Sequence, residues 1–170
     1  VEAFIKQSQQ SVRQIDKSTL PEHLQLIVQK IEAQYHDDVM IFDITTEFSV
    51  PVMYVSMTKQ PFLIQPGGCG ASLSAEYALE RALLEMLQPL HIHNDSMTEN
   101  QREIIDVLTP YPLLLRAAIA DVTTLTEVAQ TVSWKSIGVT QQFTSLEDQL
   151  TTIVNSIKTR GHQIYHLPIA

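Results

Sequence analysis

The feature that most constrains the fold is a pair of nearly continuous apolar runs separated by a short connection. The first run, 39–44, has the sequence VMIFDI, and the second, 50–57, has the sequence VPVMYVSM. Both are typical of β-strands, and an apolar run without alternation indicates a strand buried on both faces. Because residues 45–49 are too few for a crossover helix, we expect the two strands to form a hairpin.

Apolar residues recur at helical spacing in several segments around this hairpin, and capping residues mark some of their ends. Ser74 is expected to cap one helix and Ser145 another, and Gly161 follows the second helix where a helix-ending glycine is favoured. The helices are predicted over these segments: 2–16, 24–31, 74–92, 98–120 and 145–160.

The rest of the chain completes the expected architecture. Residues 163–169 have the pattern of a last strand, whereas 121–144 are rich in Thr, Ser and Gln and give no regular pattern. A chain of 170 residues is long enough for one ordinary domain with a core. We therefore expect an α+β (α/β) fold in which helices pack on a mixed or antiparallel β-sheet.

The charge of the chain limits its partners. With 19 acidic and 11 basic residues, its formal net charge is −8. We expect no nucleic-acid partner, because binding a phosphate backbone needs a basic face. We also expect no membrane partner, because the longest apolar stretch is far short of a span. The lone cysteine, Cys69, cannot form an internal disulfide, which favours the cytoplasm.

The two ends of the sequence suggest a piece of a longer protein. The chain begins at Val1, directly in a helix-like segment, and it stops at Ala170, within the expected last strand. We therefore expect an excised part of a larger protein. A complete chain that lacks only its initiator Met is the alternative.

The first candidate for chemistry is the glycine-rich segment 66–72 (PGGCGAS), which is predicted to be a turn before the helix 74–92. Small residues let a backbone approach a phosphate, and the start of a helix offers free N–H groups. The segment has neither the Gly-Lys-Ser/Thr of a P-loop nor the glycine spacing of a dinucleotide fold. A tight strand-to-helix turn without a ligand is therefore the alternative.

The helix 74–92 also carries a narrow polar stripe. At about 100° per residue, Arg81, Glu85 and Gln88 fall within an arc of roughly 60°, beside an apolar core-facing side. A carboxylate on such a stripe can bind Mg²⁺ together with phosphate oxygens, because Mg²⁺ prefers hard oxygen ligands. Spacing alone also allows an ordinary solvated face with an Arg–Glu pair at i, i+4.

Other reactive residues give weaker patterns. His91 and His93 alternate as metal ligands can, but no third ligand stands at a recognisable spacing, so an exposed helix end is favoured. Cys69 is a candidate nucleophile without an identifiable paired His, and a small residue filling a turn is the alternative. Asp43 and Glu47 are candidate ligands at the end of a strand, where carboxylates are more often solvated.

Taken together, three segments resemble the YcaO family of ATP-dependent enzymes. The core of the resemblance lies in DITTEFSVPVMYVSM (43–57) and GGCGASLSAEYALERALLEMLQ (67–88). The family shows a similar order of aspartate–threonine turn, Pro-Val strand, G-x-G-A segment and helix of the form A-L-x-R-A-L-x-E-x-x-Q. SLEDQLTTIVNSIKTRGHQIYHLPI (145–169) supports the match. The resemblance implies one domain, 1–170, that is the C-terminal part of a YcaO-like domain, with its core motif at 37–92 and a helix–strand unit at 145–170.

The resemblance implies an enzyme that uses ATP and Mg²⁺ to activate a backbone amide of a ribosomally made precursor peptide, as in bacteriocin biosynthesis. In the best-known members a Cys, Ser or Thr side chain then closes a thiazoline or oxazoline ring. By its position in the helix motif, Glu85 is the implied Mg²⁺ ligand, and Arg81, Glu85 and Gln88 are the implied nucleotide-binding residues. No catalytic residue is identified. A ThiF-like protein that recruits the peptide is the implied partner, and a homodimer is left open.

Among the departures of the sequence from the family pattern, two bear most on activity. It has no counterpart of the E-x-x-E-R motif, which supplies further metal-binding carboxylates, and it lacks the Pro-rich C terminus of peptide-cyclising members. We therefore expect activity from the full-length protein and none from this segment alone. The alternatives are a YcaO-like protein for thioamidation or an accessory role, and a non-catalytic interaction module that has lost ATP chemistry.

Overall fold

The computed structural model describes residues 12–57, 59, 64, 66–92, 95–119, 129–137 and 145–165. Within them, five strands form one sheet that is accompanied by five α-helices. The strands are β1 Arg13–Ile15, β2 Val39–Asp43, β3 Val52–Met57, β4 Gly67–Ala71 and β5 Gln130–Val132. The helices are α1 Glu22–Tyr35, α2 Ala75–Ile92, α3 Asp95–Leu108, α4 Pro112–Ala118 and α5 Leu146–Thr159.

The sheet is mixed, with the strand order β4-β3-β2-β1-β5. The pairs β1–β2, β2–β3 and β3–β4 are antiparallel, whereas β1 and β5 are parallel. The predicted hairpin is present, with Val39 opposite Met57 and Asp43 opposite Met53. The expected α+β fold, with helices on a mixed sheet, is therefore confirmed.

Both faces of the sheet are buried at its centre. Helices α1 and α2 cover one face, where Leu24 and Leu79 join Ile41 and Val55 in the main core. On the opposite face Phe42 is fully buried, in a smaller cluster with two other buried residues, Val12 and Ile44. Burial on both sides explains why the two central strands have continuous apolar sequences rather than alternating ones.

The predicted helix caps are confirmed. The Ser74 hydroxyl accepts a hydrogen bond from the N–H of Tyr77 at 3.3 Å, just before α2. The Ser145 hydroxyl accepts one from the N–H of Asp148 at 3.1 Å, at the start of α5. After α5, Gly161 has a φ of 80°, the left-handed conformation that glycine adopts without strain.

Besides β4, two strands form where the sequence did not predict them. Residues 13–15, the end of the predicted helix 2–16, are strand β1, and residues 2–11 lie outside the described residues. Strand β5 lies within 121–144, where no regular structure was expected. The N–H of Gln130 donates to the carbonyl oxygen of Val12 at 2.7 Å. Each strand is thus stabilised by a partner distant in the chain, which local apolar spacing does not reveal.

The C-terminal predictions are tested only in part. Residues 162–165 follow α5 without forming a strand, and 166–169, the rest of the predicted last strand, lie outside the described residues. The predicted helical segment 98–120 is divided into α3 and α4, with Pro112 in the first turn of α4. Across the described residues, no helix combines the length and the apolar character that a transmembrane span requires.

Helix α5 is tied to the turn between β2 and β3. The Ser156 hydroxyl donates to the carbonyl oxygen of Phe48 at 2.5 Å, and the Arg160 guanidinium lies 5.9 Å from the centre of the Phe48 ring. His162 packs on the same ring, with 5.5 Å between the ring centres. These contacts join segments that are more than a hundred residues apart in the sequence.

Candidate functional site: the β4–α2 edge

The glycine-rich segment is a strand, which corrects the prediction of a turn before the helix. Gly67–Ala71 forms β4 and pairs with β3, with Cys69 opposite Tyr54. A Cβ atom on Gly68 would lie 2.0 Å from the carbonyl oxygen of Ala82, and one on Gly70 would lie 1.9 Å from that of Ala78. The glycines are therefore required because the backbone of α2 lies directly on the strand.

This close approach brings Glu85 to the edge of the sheet. Strand β4 is the outermost strand on its side, so every second N–H group of β4 points away from β3. The N–H of Cys69 donates to Glu85 Oε2 at 2.9 Å. The carboxylate therefore satisfies a donor that the sheet ladder leaves unpaired, and this contact holds one of its two oxygens in place.

The other two residues of the predicted polar stripe are on the same side of α2. Arg81, Glu85 and Gln88 are all exposed, as their predicted arc requires. The Arg81–Glu85 ion pair that i, i+4 spacing allows is not formed, although both residues belong to the described part of the chain. The carboxylate thus bonds to the strand backbone rather than to the guanidinium on its own helix. The nucleotide-binding role of the three residues stays a prediction.

Cys69 is poorly suited to act as a nucleophile. Its side chain is exposed on the sheet face opposite α2, yet partial burial raises the pKa of the thiol, and the Glu85 carboxylate raises it further. A thiol is the weaker nucleophile, because the thiolate is the reacting form. The alternative, a small residue at a tightly packed position, agrees better with this environment.

Asp43 is neither a solvated carboxylate nor a free ligand. It is buried at the end of β2, pairs with Arg13 and accepts a hydrogen bond from the N–H of Thr45 at 2.9 Å. Glu47 is exposed in the following turn. The two candidate ligands therefore do not form a shared cation site.

The two candidate histidines do not form a metal centre. The Nδ1 atom of His91 lies 3.4 Å from the hydroxyl oxygen of Tyr35, at the ends of α2 and α1. His93 lies outside the described residues. No cluster of three His, Cys, Asp or Glu side chains with metal-binding geometry is found in the described ranges. The helix-end interpretation of His91 agrees with these contacts.

The family of the chain follows from comparison with known proteins. A family model described as the YcaO cyclodehydratase, ATP- and Mg²⁺-binding, matches residues 2–169, nearly the whole chain. The chain belongs to the YcaO family. This confirms the resemblance inferred from the hairpin, the β4 segment and the α2 motif.

Solved structures share the fold of this YcaO chain. One is the structure of the heterocyclase TruD, with a TM-score of 0.62 and 19% identity. Another is a heterocyclase in complex with substrate and cofactor, with a TM-score of 0.60 and 13% identity. Each comparison covers 89% of this chain and 20% of the other, so the chain spans about a fifth of their length. A comparison with curated proteins found no match.

The donor set of the YcaO chain fits Mg²⁺ at Glu85. The Oε2 atom accepts the Cys69 N–H, while Oε1 has no hydrogen-bond partner among the residues that the structure describes. Mg²⁺ is typically bound through one or two carboxylates, with waters and substrate phosphates completing its coordination. One anchored carboxylate beside a guanidinium, Arg81, and an amide, Gln88, is compatible with that arrangement.

A concave surface that was not predicted lies on α3. It is a groove of about 320 Å³ lined by Asn100, Glu103, Ile104, Val107 and Leu108. None of the three predicted nucleotide residues lines it. The apolar spacing of the segment predicted a helix, but an exposed apolar side chain such as Val107 cannot be distinguished from a core residue by spacing alone.

Proposed function

We propose that the full-length protein containing this YcaO chain is an ATP- and Mg²⁺-dependent cyclodehydratase. The chain's family and its heterocyclase fold support an enzyme of this kind. The single observation that carries the site assignment is the anchored carboxylate of Glu85, which lies next to Arg81 and Gln88 on one side of α2.

The residues of the stripe have distinct roles in this proposal. Glu85 holds the cation through the oxygen that Cys69 does not use. Arg81 binds phosphate oxygens, since a guanidinium presents several N–H donors to an anion. Gln88 donates or accepts a hydrogen bond at the nucleotide. When bound, Mg²⁺ neutralises the charge of the phosphoryl group that is transferred.

The proposed substrate is a ribosomally made precursor peptide, in a pathway of the bacteriocin type. A Cys, Ser or Thr side chain of the peptide attacks the carbon of the preceding amide and loses its proton. The amide oxygen takes the γ-phosphoryl group of ATP, and ADP is released. The C–O bond then breaks to release inorganic phosphate, as the amide nitrogen loses its proton and a C=N bond forms. The product is a thiazoline or oxazoline ring. Phosphorylation is needed because an amide oxygen is otherwise a poor leaving group.

The remaining parts of the proposal concern the context of the chain. We propose that it is the C-terminal part of a YcaO-like domain within 1–170, with segments 37–92 and 145–170 carrying the family pattern, and that it is inactive alone. A ThiF-like protein recruits the precursor peptide, and a homodimer is left open. The need for ATP and the lone Cys69 favour a cytoplasmic location.

The test is a substitution of Glu85 in the full-length protein. Glu85→Gln is expected to abolish Mg²⁺-dependent ATP consumption in the presence of the peptide, while the unfolding temperature stays within a few degrees of the parent. Glu80→Gln is the matched control, because Glu80 is exposed on the same helix about 140° away from Glu85. Equal ATP consumption by Glu85→Gln and Glu80→Gln refutes the assignment of the metal ligand.

The second candidate is a non-catalytic interaction module that has lost ATP chemistry. It is favoured by the exposure of all three stripe residues and by the location of the described groove on α3. An absence of calorimetric binding of Mg-ATP to the full-length protein would select this candidate. If, with a sulfide donor present, ATP is consumed and the product carries sulfur from that donor in place of the amide oxygen, the protein thioamidates its peptide instead.

A further inference from the structure

We propose that the main-chain N–H of Cys69 positions the Glu85 carboxylate for its cation, which makes Cys69 a positioning residue through its backbone. This inference rests on the proposed function, because it presupposes that Glu85 binds Mg²⁺ with the nucleotide. It adds a specific hydrogen bond that links the G-x-G strand to the glutamate of the helix motif.

The hydrogen bond restricts the conformational freedom of the Glu85 side chain. Glu85 is exposed on α2, and an exposed glutamate side chain samples many rotamers. With Oε2 held 2.9 Å from the nitrogen of Cys69, the carboxylate is fixed against the edge of β4. The orientation of the second oxygen is thereby largely determined before a cation arrives.

Close packing of α2 on β4 brings the Glu85 carboxylate within reach of the Cys69 N–H. At Gly68 and Gly70, carbonyl oxygens of α2 lie only 2.0 Å and 1.9 Å from the position that a Cβ atom would occupy. Any side chain at these two positions would push α2 outward and carry Glu85 with it. The two glycines thus set the distance between α2 and the outward N–H of Cys69, the residue that separates them in the sequence.

A purely structural role for the same hydrogen bond makes different predictions. A carboxylate that covers an edge N–H also protects the strand from pairing with another chain. That role affects stability and self-association, whereas the positioning role affects how tightly Mg²⁺ binds. Partners that orient a metal ligand typically change metal affinity by 10–100-fold when removed.

The experiment compares Cys69→Pro with Cys69→Ala in the full-length protein. Proline removes the outward N–H, and it is tolerated in edge strands where that group is not part of the ladder. Alanine removes the thiol and keeps the N–H. We expect Cys69→Pro to raise the Mg²⁺ concentration for half-maximal ATP consumption about tenfold. Saturating Mg²⁺ should restore the maximal rate, and Cys69→Ala should match the parent.

Two measurements do not depend on activity. Calorimetric titration of Mg²⁺ into protein with a non-hydrolysable ATP analogue should show an about tenfold weaker Mg²⁺ affinity for Cys69→Pro and an unchanged affinity for Cys69→Ala. In the unmodified protein, Mg²⁺ with the analogue should slow hydrogen exchange of the Cys69 amide, because the cation immobilises its acceptor. The exchange measurement applies even if Cys69→Pro fails to fold.

The outcomes separate this inference from the proposed function. Equal Mg²⁺ affinity of Cys69→Pro and Cys69→Ala, or no change in Cys69 amide exchange on adding Mg²⁺ and the analogue, overturns the positioning role. If Glu85→Gln nevertheless abolishes Mg²⁺-dependent ATP consumption, the proposed function stands. If Glu85→Gln has no effect on that consumption, the assignment of Glu85 as the metal ligand fails, and the positioning role fails with it.

Discussion

Arg13 and Asp43 lie directly opposite each other on β1 and β2, and their side chains form an ion pair. The Asp43 carboxylate is completely buried, whereas 37% of the Arg13 side chain is exposed. The ion pair therefore links the short strand β1 to the central hairpin, and it compensates a charge that the interior could not otherwise hold.

Replacement of Arg13 by Met should destabilise the fold, because Asp43 would lose its charge partner. Breaking a buried pair typically costs 3–5 kcal/mol, and the exposure of Arg13 lowers our expectation to about 2–3 kcal/mol. Urea unfolding measures this change in the free energy of unfolding. The control is Lys30→Met on the exposed side of α1, with an expected change below about 0.5 kcal/mol. Equal values for the two variants would contradict a stabilising pair.

Alanine at Gly70 should destabilise the fold more than alanine at Gly161. The new Cβ atom at Gly70 would meet the Ala78 carbonyl oxygen at 1.9 Å, so that α2 must move away from β4. We expect a loss of about 3 kcal/mol, as for other overpacked cores. At Gly161 the space is open, and only the φ of 80° opposes a side chain, at about 1 kcal/mol. Thermal unfolding of both variants gives the comparison, and the reverse order would show that α2 adapts easily.

The Cys69 thiol should react slowly with iodoacetamide at neutral pH. Partial burial and the Glu85 charge raise its pKa above the ordinary value of 9.0, so the thiolate forms only at higher pH. The pH of half-maximal alkylation rate should therefore lie above that of a solvated cysteine in a short peptide with blocked ends. Glu85→Gln should shift it downward, because a negative neighbour is removed. A profile identical to that of the blocked peptide would show that the thiol is fully solvated.

Asp38 should titrate at an unusually low pH. A hydrogen bond from the Lys59 ammonium at 2.9 Å, together with its charge and that of Lys17, lowers the pKa of Asp38 below 3.8. Any contribution of this carboxylate to stability is therefore present above about pH 4 and lost as the pH falls through its lowered pKa. Lys59→Met should raise the pKa of Asp38 in an NMR titration. An unchanged value would mean that the lysine does not contact it in solution.

The parts of the fold that could be predicted are those determined by neighbouring residues. The hairpin of β2 and β3 follows from two apolar runs, and α2 follows from its spacing and from Ser74. Two strands were missed because their partners are distant in the sequence: β1 requires Asp43 and β5 requires Val12. A weak helical spacing cannot compete with such pairing.

Only the side chains of the candidate site could be predicted from the sequence. The arc of Arg81, Glu85 and Gln88 follows from helix geometry, and all three are exposed on α2. The segment 66–72 was interpreted as a turn. Glycine has no side chain, so a glycine-rich strand does not show the alternation of polar and apolar residues by which strands are recognised. The spacing of Gly68 and Gly70 at period two was the available signal for a strand. The contact to Glu85 could not be predicted, since its donor is a backbone N–H group.

The contacts of α5 with Phe48 have a consequence for how the chain can be divided. The β2–β3 turn contacts the C-terminal helix through Ser156 and Arg160, so the position of Phe48 depends on a helix that lies about a hundred residues further along the chain. A truncation before residue 145 would remove these contacts from the β2–β3 turn. Limited proteolysis within α5 should likewise increase the mobility of that turn, even though the sequence between the two segments is intact.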